Sequence, residues 1–320
     1  MNSVAVVGAG AWGTALAIQA LRAGRQVTLW ARDPARAASI AATRQNLRLP
    51  GHALPTAIVV TADLPTADLV LLAAPLQHLR EVASHLPPGG PVVICAKGVE
   101  TSTLRLPLEI LAEALPRRAA AVLTGPNFAR EIAAGLPAAA VVAAHDAEVR
   151  AAVVASAATP QFRLYGNDDP IGAQVGGAAK NVIAIAAGAV AGAGLGENAR
   201  AALVTRGLAE LARLAVALGG RADTVAGLSG LGDVLLSCTS PTSRNYTLGV
   251  QLGAGRPLAE SLESRTGVTE GVATAPALVT RAARAGASVP ICEVVAAVLS
   301  SQMTLRQAIE ALRSRPLRDE

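Results

Sequence analysis

The sequence predicts an α/β chain: an N-terminal half built on a parallel sheet covered on both faces, followed by an all-helical C-terminal half. Three observations carry this expectation. Continuous apolar runs alternate with amphipathic stretches through the first half, the pattern of buried parallel strands between covering helices. A glycine cluster follows the first apolar run and opens the first helical stretch. After about residue 169, long Ala- and Leu-rich segments of helical period take over, broken by Gly and Pro. A chain of 320 residues has room for two domains at roughly 150 residues each, and the expected division is 1–168 and 169–320.

The elements follow in order. Residues 3–7 form the first strand, ending at Gly8, and a helix over 12–23 is closed by Gly24. Further strands fall at 26–30, 58–61, 68–74, 91–96, 120–123, 138–143 and 162–165, with helices over 77–86 and 127–134. In the second half, helices fall at 199–218, from 248 onward, and at 275–285, 292–300 and 305–313, with a glycine-rich break at 227–233.

Composition removes several classes. Hydrophobic residues at 52% and charged residues at 16% exclude disorder and a coiled coil. Aromatics are 2%, so the core is Ala, Val, Leu and Ile, and surfaces for stacking single-stranded nucleic acid are nearly absent. The net charge of +5 comes from scattered arginines without a dense tract, which argues for an anionic small molecule and against nucleic acid. The most apolar stretch, 182–195, falls short of the roughly 20 residues of a membrane span, so stable membrane insertion is not expected. The N-terminus lacks the basic region of a signal peptide. Cys95, Cys238 and Cys292 form neither a disulfide framework nor a zinc motif, which fits a reducing cytoplasm. The four histidines have no ligand-like spacing, and no metal is expected.

Residues 8–13 read Gly8-Ala9-Gly10-Ala11-Trp12-Gly13, a G-x-G-x-x-G between a strand and a helix. In that context it is the Rossmann-type fingerprint of a dinucleotide site. Gly8 allows the tight turn, Gly10 lets a pyrophosphate reach the backbone, and Gly13 lets helix and strand pack. The helix N-terminus then presents N–H groups and a positive dipole end to the phosphates. At the end of the second strand, Arg32 favours the 2′-phosphate of NADP(H), while Asp33 keeps the ribose hydroxyl of NAD(H) possible.

The chain holds two lysines, Lys97 and Lys180, against 26 arginines. Where the surface needs only positive charge, this chain uses Arg; Lys can exchange a proton and Arg cannot. Lys97 follows a strand carboxyl end, and Lys180 lies in an apolar segment near the start of the first helix of the second domain. Both are expected at a cleft between the domains. Asp233 closes the glycine-rich stretch, either to hold a lysine or substrate hydroxyl or to cap a helix over 234–238. Residues 241–245, Pro-Thr-Ser-Arg-Asn, combine a helix start, hydroxyls and a guanidinium, a receiver for phosphate.

The motifs converge. GAGAWGTALA at 8–17, LWARDP at 29–34, AKGVE at 96–100, TGPNFAREIA at 124–133, GGAAKNVIAIAAG at 176–188, GLSGLGDVLLSCTS at 227–240, TSRN at 242–245 and VTEGVATA at 268–275 cover nearly the whole chain. Together they resemble the bacterial NAD(P)-dependent glycerol-3-phosphate dehydrogenases. The resemblance implies that Lys180 is the general acid/base, with Lys97 and Asp233 completing the catalytic set. It implies a substrate site of Lys97, Gly125, Asn127, Lys180, Asn181, Asp233, Ser243, Arg244 and Asn245. It implies dinucleotide contacts from Gly8, Gly10, Ala11, Trp12, Gly13, Arg32, Lys97, Ala129, Arg244, Val268 and Glu270. One departure stands out: the family more usually carries Ser or Thr where this chain has Asn127. The implied reaction is the reduction of dihydroxyacetone phosphate to glycerol 3-phosphate for phospholipid synthesis, by a cytoplasmic enzyme that pairs as a homodimer. The alternative is a related two-domain dehydrogenase of a hydroxy acid or 2-ketopantoate, whose carboxylate substrate would not require the Ser-Arg-Asn helix start. A dinucleotide sensor without turnover would need neither Lys180 nor Asp233.

Overall fold

Eight strands form one sheet: β1 (Ser3–Val7), β2 (Gln26–Trp30), β3 (Val59–Thr61), β4 (Leu69–Leu72), β5 (Val92–Ile94), β6 (Ala120–Thr124), β7 (Ala138–Ala143) and β8 (Phe162–Asn167). The protein is seen here in a computed structural model that describes residues 1–263 and 269–315. The strand order is β3-β2-β1-β4-β5-β6-β7-β8. The chain runs outward from β1 to β2 and β3, then returns to lay β4 on the other side of β1. This reversal leaves a crevice at the strand carboxyl ends, where open parallel sheets bind ligands. Val7 pairs with Trp30 on one side and Leu72 on the other, so three strands end level with Gly8.

Strands β1 to β6 are parallel, but β7 runs antiparallel to β6 and β8 runs parallel to β7. The expectation of a wholly parallel sheet is corrected at these two strands. The six residues of β7, AAAVVA, suit either direction; direction is set by the connection and leaves no mark on the strand itself. Three helices also go beyond the sequence expectation: Pro34–Thr43, Pro107–Ala114 and Ala147–Ala157. Two start on an aspartate cap, with Asp33 accepting from Ala35 N–H at 3.0 Å and Asp146 from Glu148 N–H at 2.8 Å.

The chain divides into two compact units, Met1–Lys97 with Arg105–Gln174, and Gly98–Leu104 with the chain from Val175 onward. In the first, small aliphatic residues make the core as the composition requires: every residue from Gly13 to Ala20 of the helix Ala11–Arg22 is buried. Arginines bind its loops together. Arg22 donates to the carbonyls of Ile132 and Ala133, Arg25 to Ala155 and Ser156, Arg118 to Pro87 and Gly90, and Arg150 to Ala144 and His145. A guanidinium presents donors in a fixed fork, so one side chain satisfies two carbonyls that would otherwise need water. These four arginines use their guanidinium groups on the chain's own carbonyls.

Among its described residues the second unit is helical. The helix Pro170–Gly192 is 23 residues long, more than the stretch 182–195 suggested, and is long and apolar enough to cross a membrane by those measures alone. In this fold 83% of its apolar window is buried, which makes it a core helix. It meets the helix Arg244–Gly253 at glycines on both sides. A Cβ at Gly188 or Gly192 would overlap the carbonyls of Tyr246 or Val250, and one at Gly249 or Gly253 would overlap those of Ile185 or Ala189. The residues expected to form a loop at 227–233 are instead wound: Gly232 N–H donates to Gly227 O at 3.1 Å, a π-helical turn that runs into the helix Asp233–Thr239. Asp233 is therefore inside a helical run rather than capping one.

Glu210, buried at 2%, reaches from the helix Glu197–Ala217 to the start of Pro290–Leu299, accepting from Ile291 N–H at 2.7 Å and Cys292 N–H at 3.4 Å. Burial pushes its carboxyl up to about 7, against the pull of those two N–H groups and Arg213.

Two outcomes are expected. Gly249→Ala forces a methyl into a carbonyl and lowers unfolding free energy by about 1–3 kcal/mol, read from the urea midpoint. Because Glu210 holds its proton more tightly folded than unfolded, its contribution to stability is complete below its ordinary value of 4.5 and is lost as pH rises to about 7. Glu210→Gln, which still offers an acceptor to Ile291, should flatten that part of the stability–pH curve.

Candidate active site

The first unit builds a glycine-rich loop at the carboxyl end of β1. Gly8 has φ +120°, and a Cβ there would lie 2.8 Å from the backbone of Ala73. A Cβ at Gly13 would overlap the Gly8 carbonyl, so the helix can start this close to the strand only without a side chain. At Gly10 a Cβ would meet nothing within 4 Å, so the loop opens there onto space in front of the first helical turn. Ala11 and Trp12 stand in that turn, partly buried against the core. The loop is braced from behind by residues that sequence reasoning did not single out. Asn46 Nδ2 donates to Ala9 O at 3.0 Å and to Thr14 Oγ1 at 2.7 Å, and Thr14 Oγ1 donates to Gly10 O at 2.8 Å. Arg36 donates to the same Ala9 carbonyl. No motif announces Asn46; its role comes from tertiary contact alone.

These features fit a dinucleotide: a turn only glycine can make, open space at Gly10, and a helix N-terminus aimed at it. Arg32 follows β2 and is exposed, while the Oδ1 of Asp33 is used as the helix cap.

In the same unit, Lys97 lies beyond β5 and donates from Nζ to Gly125 O at 3.2 Å. Gly125 has φ +131° and directly follows β6. Asn127, two residues on, donates from Nδ2 to Ala139 O at 3.1 Å, and its buried Oδ1 has no hydrogen-bond partner. The buried hydroxyl of Thr124 also has none. Ala129 begins the short helix Ala129–Ala134. Burial pushes the neighbouring Cys95 thiol up to about 12 despite Lys97.

The second unit centres on Lys180. It stands mid-helix in Pro170–Gly192, not near the start as expected, because the helix begins ten residues earlier at Pro170. Its Nζ donates to Asp233 Oδ1 and to Ser237 Oγ, both at 2.9 Å. The side chains are 14% exposed for Lys180 and 1% for Asp233. The π-helical turn positions the acid, and Gly176 makes room for it: a Cβ there would overlap the Ser229 carbonyl. Ser237 follows Asp233 by one helical turn, a spacing that is legible only once 233–239 is known to be helical. Cys238 is buried beside this pair, and burial holds its thiol up at about 12, protonated and inert.

The neighbouring residue, Asn181, accepts at Oδ1 from Asn245 Nδ2 at 2.8 Å, and Asn245 Oδ1 accepts from Gly271 N–H at 3.1 Å. One amide thus joins three helices. Ser243 caps the helix Arg244–Gly253, accepting from Tyr246 N–H at 3.3 Å, and Arg244 is the exposed first residue. Glu270 opens the helix Glu270–Arg284, beside Gly271. Val268 lies outside the described residues.

Comparison with known proteins decides the family. The model for the NAD-dependent glycerol-3-phosphate dehydrogenase N-terminus matches residues 3–150, and the model for its C-terminus matches residues 169–310. The chain belongs to the NAD-dependent glycerol-3-phosphate dehydrogenase family. A relative named glycerol-3-phosphate dehydrogenase [NAD(P)+] from Acidiphilium cryptum is 57% identical, covering 99% of this chain and 98% of that one. Another of the same name from Gluconobacter oxydans is 51% identical over 98% and 97%. The crystal structure of glycerol-3-phosphate dehydrogenase from Coxiella burnetii superposes with TM-score 0.93 at 33% identity, covering 98% of this chain and 99% of that one. Membership in the glycerol-3-phosphate dehydrogenase family favours that reading over the hydroxy-acid and 2-ketopantoate alternative.

Removing the brace behind the dinucleotide loop should loosen it. Asn46→Ala removes one of the two donors to the Ala9 carbonyl and the donor to the Thr14 hydroxyl, and is expected to cost about 1–2 kcal/mol in stability. Thermal melting measures it, with a raised KM for the dinucleotide as the second readout.

Proposed function

We propose that the chain catalyses the reaction of its family, the NAD(P)(H)-dependent interconversion of dihydroxyacetone phosphate and glycerol 3-phosphate, running toward glycerol 3-phosphate for phospholipid synthesis. Residues 1–168 serve as the dinucleotide domain and 169–320 as the substrate domain. The observation that carries the chemistry is Lys180, one of only two lysines in the chain, partly buried with its ammonium held at 2.9 Å by the buried Asp233 carboxylate and by the Ser237 hydroxyl.

The reduction needs a proton at the ketone oxygen as negative charge develops there. Bound reduced nicotinamide supplies the hydride to the ketone carbon. Lys180 donates the proton from Nζ to the new alkoxide, and Asp233 and Ser237 hold that ammonium in one orientation. Lys97 stabilises charge on the same oxygen. Arg244, with the hydroxyl of Ser243 and the amides of Asn181 and Asn245, receives the substrate phosphate. Binding energy gained there positions the ketone for reaction. Gly125 and Asn127 line the substrate, and the partnerless Oδ1 of Asn127 supplies an acceptor for a substrate hydroxyl where relatives offer a hydroxyl of Ser or Thr. Gly8, Gly10, Ala11, Trp12 and Gly13 cradle the pyrophosphate end, while Arg32, Ala129, Val268 and Glu270 complete the dinucleotide contacts. Three buried free cysteines support a cytoplasmic location. A homodimer is the assembly we expect, and light scattering measures it.

The test follows oxidation of NADPH and NADH at fixed dihydroxyacetone phosphate. Wild type turns over. Lys180→Ala and Lys180→Arg each lose about 100- to 10,000-fold in kcat, since guanidinium keeps the charge but does not release a proton near neutral pH. Near-full turnover in Lys180→Arg would sink the assignment of the proton donor.

A further inference from the structure

Tyr246 directly follows the Ser243-Arg244-Asn245 stretch and belongs to no motif singled out above. It is 8% exposed, in a chain with two tyrosines. A buried phenol needs a partner for its oxygen. Tyr246 Oη accepts from Arg200 Nη1 at 3.1 Å. The main chain of Tyr246 is held as well. Its N–H donates to the hydroxyl of Ser243, and its carbonyl lies where a Cβ at Gly188 would overlap it. The residue is therefore fixed at both ends: by its main chain against the helix Pro170–Gly192, and by its hydroxyl to the helix Glu197–Ala217.

These contacts close a triangle of helices. Pro170–Gly192 meets Arg244–Gly253 through the glycines already described. Pro170–Gly192 meets Glu197–Ala217 at Gly207, where a Cβ would lie 2.9 Å from the Ile183 side chain. The Arg200–Tyr246 bond spans the third side. Lys180 and Asn181 stand on the first of these helices, Arg200 near the start of the second, and Arg244 and Asn245 at the start of the third. The Arg200 side chain is 22% exposed, and its other amino nitrogen pairs with Glu197. That glutamate is 77% exposed, so the pair adds little stability. Its effect is to fix the guanidinium plane, because both nitrogens belong to one rigid fork. The charge also lies close to the reacting lysine: the Cys238 thiol feels the Arg200 guanidinium together with Lys180 and Asp233.

We propose that Arg200 and Tyr246 act together as positioning residues of this dehydrogenase: their hydrogen bond sets the start of the helix Arg244–Gly253, and with it the phosphate receiver at Ser243, Arg244 and Asn245, relative to Lys180. The bond acts from behind the site and touches no substrate. The inference rests on the substrate reading above and extends it to two residues outside that site. A receiver displaced by a fraction of an ångström holds the phosphate less well, and the loss falls on substrate binding.

The test is a double-variant cycle in steady state, with wild type, Tyr246→Phe, Arg200→Met and the two combined. Tyr246→Phe removes one oxygen and keeps the ring that fills the core. Each single variant is expected to raise the KM for dihydroxyacetone phosphate about 3- to 10-fold, the range of one hydrogen bond, while kcat and the KM for the dinucleotide stay within about twofold. The combined variant is expected to be no worse than the worse single one, because both lose the same bond. Should Arg200→Met fail to fold, Tyr246→Phe alone carries the same split between the two KM values. A lowered melting temperature with the KM for dihydroxyacetone phosphate unchanged marks a merely structural bond and overturns the proposal. So does a rise in both KM values together, or a combined variant whose effect is the product of the single ones. A wild type that does not reduce dihydroxyacetone phosphate overturns the substrate reading and this proposal with it, whereas an active wild type with unaltered variants strikes this proposal alone.

Discussion

Backbone meeting backbone at glycine is the constraint on which this fold depends. A chain with 2% aromatics has few large side chains to fill the gaps between elements, so its elements must come closer. At Gly13 a helix starts against a strand turn, and at Gly188, Gly192, Gly249 and Gly253 two helices of the second unit touch through their main chains. Close approach of this kind transmits position with little slack. Lys180 and Asn181 lie two turns along from Gly188, and Ser243, Arg244 and Asn245 sit at the start of the partner helix. The amide bond between Asn181 and Asn245 then fixes the rotation of one helix against the other.

The second theme is a division of labour between the two cationic side chains. Arginines tie helix ends and loops by donating to backbone carbonyls, work for which a rigid fork that stays charged is suited. Lysine is kept at two positions, each with its ammonium held by oxygen acceptors: Gly125 O for Lys97, and Asp233 with Ser237 for Lys180. A charge count alone reads this chain as basic and open to polyanions. In the structure several of those arginines are bonded to the main chain instead.

Most strands of the first unit are legible as continuous apolar runs, β8 with its FRLYGN sequence being the exception, and the glycine loop is legible because three glycines at fixed spacing serve three different steric demands. Other features had no local signature. The reversal of β7 is invisible in AAAVVA. The helix at Pro34–Thr43 carried its own signals, an aspartate cap followed by proline, but Asp33 was weighed as a ribose ligand instead. Residues 227–232 look like a loop because glycine permits one. They wind as a helix because Gly230 and Gly176 can each lie against a carbonyl, a fact about the partner segments and not about the glycines. Of the candidate site residues, the Lys180 partnership with Asp233 was anticipated. Ser237 was missed with the helix that carries it, and Asn46 could be found only from the folded chain.

The scarcity of lysine has a practical consequence. Reagents that acylate or cross-link primary amines find only the two Nζ atoms and the chain's α-amino group on this protein. Amine chemistry, which elsewhere paints a whole surface, becomes here a reporter on a pair of partly buried positions. Protection of those two amines by bound small molecules can be followed peptide by peptide after cleavage at arginine, with no label introduced by mutation.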